Sequence, residues 1–171
     1  GALKPLMLAI EPEGSFFSCF PDDESGCGQD GELVKDISGR EKDDSAISLI
    51  KYASGSQATK YLSLSQVNLA SDNILVLHRY LSAGWIELSF GDNGSKQIYI
   101  GPQVGGYGLK EKMDGSEFVF GQVENSESIK HGFITKLTAS GEIDPSFGID
   151  GTFLTDAIAN ATEVVIKDID I

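Results

Sequence analysis

Hydrophobic and polar residues alternate with a period of two along much of the chain, as in Gln97-Ile98-Tyr99-Ile100 and in Glu163-Val164-Val165-Ile166-Lys167-Asp168-Ile169. That period marks strands with one buried face, whereas an amphipathic helix would space its apolar residues three and four apart. The alternation predicts strands over 45–52, 58–67, 73–81 and 97–101, and a second set over 106–113, 117–124, 132–139 and 151–158. No segment carries a capped 3.6-residue apolar stripe, and only 156–165 leaves room for one helical turn. An all-β chain is expected.

Two stretches repeat one another. Residues 77–94 read LHRYLSAGWIELSFGDNG and residues 134–151 read ITKLTASGEIDPSFGIDG, aligned without gaps at a constant separation of 57. Arg79 matches Lys136, Ser82-Ala83-Gly84 matches Ala139-Ser140-Gly141, and Ser89-Phe90-Gly91 matches Ser146-Phe147-Gly148. A third, more distant copy spans 8–31, where Gly14 precedes Phe20 by the same six positions that separate Gly84 from Phe90, and Gly28-Gln29-Asp30-Gly31 closes the motif. From Phe20 to Phe90 the separation is 70 and from Gly28 to Gly91 it is 63, so the first copy carries seven extra residues, 21–27.

Each repeated element has a physical task. The pairs Asp30-Gly31, Asn93-Gly94 and Asp150-Gly151 suit tight turns that need positive φ. The phenylalanines read as core plugs, and Gly14, Gly84 and Gly141 end the strands before them. Four strands per repeat is the blade count of a β-propeller. On that count 4–10 is a third strand and 161–169 a first strand, so one domain, 1–171, holds a propeller-like array of about three antiparallel four-stranded blades. A closed ring takes at least ~4 blades, which predicts an incomplete ring or open arc, finished by homo-oligomerisation or by further repeats of a longer parent chain.

Charge and cysteines narrow the partners. Thirteen basic against twenty-six acidic residues give a formal charge of -13, which repels phosphate backbones and anionic membrane surfaces. No apolar run approaches the ~20 residues of a membrane-spanning helix, and the start GALK is too short in apolar residues for a signal peptide. Nucleic acid and membrane insertion are therefore not expected, while a protein or glycan partner is. Cys19 and Cys27 stand at the two ends of the insertion in the first copy, where a disulfide would close the added loop. That reading is favoured over two free thiols and implies an exported protein.

The stretches SAGWIELSFGDNG and ASGEIDPSFGIDG resemble the delta-60 repeat, a β-propeller-like family of bacterial proteins. The first copy, EPEGSFFSCF followed by GQDG, departs from the pattern by its insertion and by lacking a glycine after Phe20. The resemblance implies an exported, periplasmic or cell-surface repeat scaffold and brings no catalytic residues with it.

Candidate chemistry is sparse. The nucleophile-elbow pattern Gly-x-Ser-x-Gly is absent, and His78 and His131 fall at different phases of the repeat. Asp22, Asp23, Glu24 and Asp30 could offer oxygen ligands to calcium without following the EF-hand spacing; otherwise they form a solvated loop. No other cofactor is expected. The glycine-rich run 101–108 lacks the Lys-Ser/Thr of a phosphate-binding loop and reads as a connection between blades that permits close sheet approach. Trp85, the only tryptophan, takes the turn position held by Glu142 and Ser15 in the other copies, and an exposed indole there could stack on a sugar or a protein partner. The expected function is a non-catalytic scaffold or interaction module. Its rivals are a carbohydrate-binding module and a propeller enzyme with a loop-built active site.

Overall fold

A computed structural model describes residues 44–52, 60–68, 72–81, 85–155 and 163–171. The first motif copy lies outside them, and with it Gly14, Phe20, Cys19, Cys27, Asp22, Asp23, Glu24 and Asp30, as does Gly84. The described residues form eight strands: β1 (Asp44–Lys51), β2 (Tyr61–Asn68), β3 (Asn73–Tyr80), β4 (Ser95–Ile98), β5 (Gln103–Glu111), β6 (Glu117–Glu124), β7 (Lys130–Leu137) and β8 (Thr152–Leu154). They form two antiparallel sheets in sequential order, β1-β2-β3-β4 and β5-β6-β7-β8, and no helix occurs among the described residues.

The two sheets are built to one plan. In both, the first strand carries a register shift against the second, between Ala46 and Ser48 and between Gly106 and Gly108. The number of residues between strands sets the spacing between copies. Residues 52–60 join β1 to β2 where 112–116 join β5 to β6, and 69–72 join β2 to β3 where 125–129 join β6 to β7. The separation of equivalent residues accordingly drifts from 60 in the first strands to 56 in the second and settles at 57 beyond.

The core lies between the sheets. Leu62, Leu64, Leu75 and Leu77 of the first sheet meet Val104, Val119, Phe133 and Leu137 of the second in one buried cluster. β5 runs across β1, β2 and β3, and Gly106 makes this possible: a Cβ there would stand 2.9 Å from Ile47 and 3.0 Å from Leu75. Burying each such aliphatic side chain stabilises the fold by about 1.5–3 kcal/mol.

The run 101–108 is thus not simply a connection. Residues 103–108 belong to β5, because a glycine strand is what lets two sheets approach this closely. The strand expected over 161–169 is described from 163 onward, and its one ladder element is an isolated parallel bridge from Glu163 to Lys130. A strand is defined by its ladder, and this segment pairs with no antiparallel neighbour among the described residues.

Candidate functional site

The repeated turn shares its main backbone hydrogen bonds in both copies. In the first sheet the Glu87 amide donates to the Arg79 carbonyl at 2.9 Å, the Phe90 amide to the Glu87 carbonyl at 3.0 Å and the Asp92 amide to the Ser95 carbonyl at 2.7 Å. In the second the Asp144 amide donates to Lys136 at 2.9 Å, Phe147 to Asp144 at 3.1 Å and Ile149 to Thr152 at 2.8 Å. Gly91 and Gly148 have φ of 51° and 61°, Asn93 and Asp150 of 52° and 49°, and Gly94 and Gly151 of 89° and 88°. Asparagine, aspartate and glycine tolerate this left-handed region best, so the sequence phrase dictates the turn locally.

The turn of the first sheet then plugs into the second. Phe90 is fully buried. One side of its ring lies beneath the Arg79 guanidinium, 4.4 Å from the ring centroid. Gly141 is close by: a Cβ at Gly141 would fall 2.5 Å from a ring carbon of Phe90. The Gly91 amide donates to the Ser140 carbonyl at 2.8 Å, Arg79 Nη1 to the Ala139 carbonyl at 2.6 Å, and Lys96 Nζ pairs with Glu142 at 2.6 Å.

A buried chain of charges passes through this joint. Lys60 and Arg79 both bond Glu87, the arginine at 2.7 Å. Arg79 also stands 3.6 Å from Oε1 of Glu117, which accepts the hydroxyl of Tyr52. Period two places Glu117 on the face of β6 that carries Val119 and Val123, so its carboxyl enters the core; it is fully buried, and Oε2 has no hydrogen-bond partner. Burial outweighs the help from Tyr52 and Arg79 and pushes the Glu117 carboxyl up to about 7. At Glu87 burial also pushes upward, but Lys60, Arg79 and Ser89 overcome it and leave the carboxyl lowered. These groups tie the sheets together. A carboxyl with no exposure has no route to a dissolved substrate.

An open cleft of about 650 Å³ lies between Tyr99 and Ile100 of the inter-sheet link and His131, Phe153, Leu154 and Thr155 of the second sheet. Tyr99 is 61% exposed and Phe153 and Leu154 are each 47% exposed. His131 Nε2 lies 3.4 Å from the amide nitrogen of Asn125, and Nδ1 lies 3.0 Å from the Thr155 carbonyl, to which it donates. Both nitrogens are engaged, leaving the cleft an aromatic and aliphatic contact surface.

Of the residues singled out from sequence, Phe90, Gly91 and Gly141 come together in the joint, whereas Phe147 is only half-buried and Gly148 is exposed. Trp85 is 42% exposed beside the turn. His78 is buried in β3 and His131 lies in β7, in different sheets. Among the described residues no three His, Cys, Asp or Glu side chains gather as a metal set. Sequence reasoning missed Glu117 and the cleft. A carboxylate in phase with Val119 and Val123 was the signal for the first, while the second depends on how two sheet ends meet and has no local signature. No family model matches the chain, and neither the curated proteins nor the solved structures contain a match.

Proposed function

We propose that the chain is a propeller-like β-repeat scaffold of the delta-60 type, exported and non-catalytic, that works by presenting surface to a protein partner. The observation that carries this reading is the joint itself: one repeat inserts a phenylalanine beneath a glycine of the next, a linkage that can be continued from unit to unit. The apolar cleft at Tyr99, Phe153 and Leu154 supports it as a contact surface that fits apolar side chains. A carbohydrate-binding module is the second reading, favoured by the exposed indole of Trp85 and the phenol of Tyr99.

A glycan array run beside a broad hydrolase panel separates these. The scaffold reading expects neither saturable glycan binding nor defined turnover from the intact chain. Glycan binding abolished by Trp85→Ala would establish the second reading, and turnover with a measurable kcat would replace both with an enzyme.

A further inference from the structure

Segment 163–171 sits on the second sheet as β5 sits on the first. With the separation of 60 that relates the first strands, Glu163 to Ile171 correspond to Gln103 to Glu111, the full extent of β5. The contacts correspond as well, with the partners exchanged. In the first joint the incoming strand supplies Gly106 and the sheet supplies Leu75; a Cβ on Gly106 would stand 3.0 Å from that leucine. In the second the incoming segment supplies Ile166 and the sheet supplies Gly132, whose added Cβ would stand 2.7 Å from the isoleucine. Leu75 and Gly132 hold equivalent places in β3 and β7. The Val164 amide donates to the Lys130 carbonyl at 2.8 Å, and Lys110 pairs with Asp168 at 3.1 Å.

The rest of that face repeats the plug without its socket. Phe147 meets Phe118 edge-on at 5.8 Å but is not fully covered as Phe90 is. Where Lys96 reaches Glu142 across the first joint, the equivalent residue is Phe153, 47% exposed, and Ile149, in the place of Asp92, is 82% exposed. An ion-pair position has become apolar.

We infer that residues 163–171 are the first strand of a third sheet, and that this face takes a further unit of the same repeat, one whose small-small-Gly turn is followed by an apolar residue rather than glutamate. Trp85 is such a residue in the first unit, at the place of Glu142. In such a unit the second strand pairs antiparallel with 163–171, the third and fourth follow in order as in the two sheets seen here, and the glycine of its turn covers Phe147. The inference rests on the scaffold reading but fails separately from it: turnover or glycan binding would overturn that function and leave this packing untouched.

The test extends the full chain by a second copy of residues 112–155 placed directly after Ile171, in three forms: as it stands, with Glu142→Trp in the appended copy, and with Phe153→Lys in the original unit. Hydrogen exchange of the amides within 165–170 that point away from the second sheet is the readout, because the Val164 amide is already bonded to Lys130, together with unfolding of Phe147→Ala in each background. Protection of these amides should rise at least 100-fold on extension, and Phe147→Ala should become as damaging as Phe90→Ala. The Glu142→Trp form should be protected at least tenfold more than the unmodified extension, and Phe153→Lys, which recreates the Lys96 and Glu142 pair, should match it. Amides that stay unprotected in all three forms overturn the inference. So does protection that arises in the unextended chain only as its mass doubles, which makes a second copy the occupant.

Discussion

Phe90 and Phe147 stand in equivalent turns, with most backbone hydrogen bonds shared and nearly the same backbone angles, yet one is fully buried and the other is not. What separates them is the neighbour. Phe90 has Gly141 beside it and Arg79 over its ring, whereas Phe147 has Phe118 alone as its recorded aromatic contact. The repeat phrase therefore encodes a turn locally, while the energetic weight of its phenylalanine is set by the unit that follows.

Removing the two rings should expose that difference most strongly. Phe90→Ala should cost about 3–5 kcal/mol, the usual range for emptying a packed aromatic site, and Phe147→Ala about 1 kcal/mol, both read from urea unfolding with unchanged slope. Equal costs would mean that the joint contributes nothing special.

Gly141→Ala should come next. Its φ of 83° disfavours any side chain, and the new methyl would fall within 2.5 Å of the Phe90 ring, so a loss of about 2–3 kcal/mol is expected. Gly115 has a similar φ of 84° but only the Ala139 Cβ nearby, at 3.1 Å. Gly115→Ala should cost about 1 kcal/mol, and the two variants together separate backbone strain from the crowding of Phe90.

The buried carboxyl makes one sheet-to-sheet contact sensitive to pH. Glu117 titrates higher in the folded state than in the unfolded chain, so its contribution is fully present below the unfolded value near 4.5 and is lost as pH rises through about 7. Stability should fall across that window by an amount on the order of 1–3 kcal/mol. Glu117→Gln should flatten the curve between pH 5 and 8 while keeping the Tyr52 contact. A curve that keeps its slope would place the titrating group elsewhere. The smallest effect belongs to the exposed rim, where Lys96→Ala should cost less than about 1 kcal/mol and fade further in salt, because Glu142 is largely solvated.

Much of this was legible from the chain. Alternation located the eight strands of the described residues, and the phrases at 77–94 and 134–151 coincide with the two turns. Edges were less legible: 97–101 was expected where β4 covers Ser95–Ile98, since a turn residue such as Ser95 joins a ladder once Asp92 and His78 face it. Gly105 and Gly106 concealed the start of β5, because glycine is disfavoured in isolated strands and favoured where two sheets press together. Arg79 was visible as a repeated basic position, but its double duty toward Glu87 and Glu117 needs both sheets in place.

The claim that one unit plugs into the next is tested most directly by a double-mutant cycle on Phe90 and Gly141. If the ring packs on the glycine, Phe90→Ala opens the space that a methyl at 141 needs, and the double variant should be about 1–2 kcal/mol more stable than the two single losses added together. The same cycle on Phe147 and Gly141 should be additive. Additivity for Phe90 as well, within about 0.5 kcal/mol, would contradict a plug-and-socket joint between the two sheets.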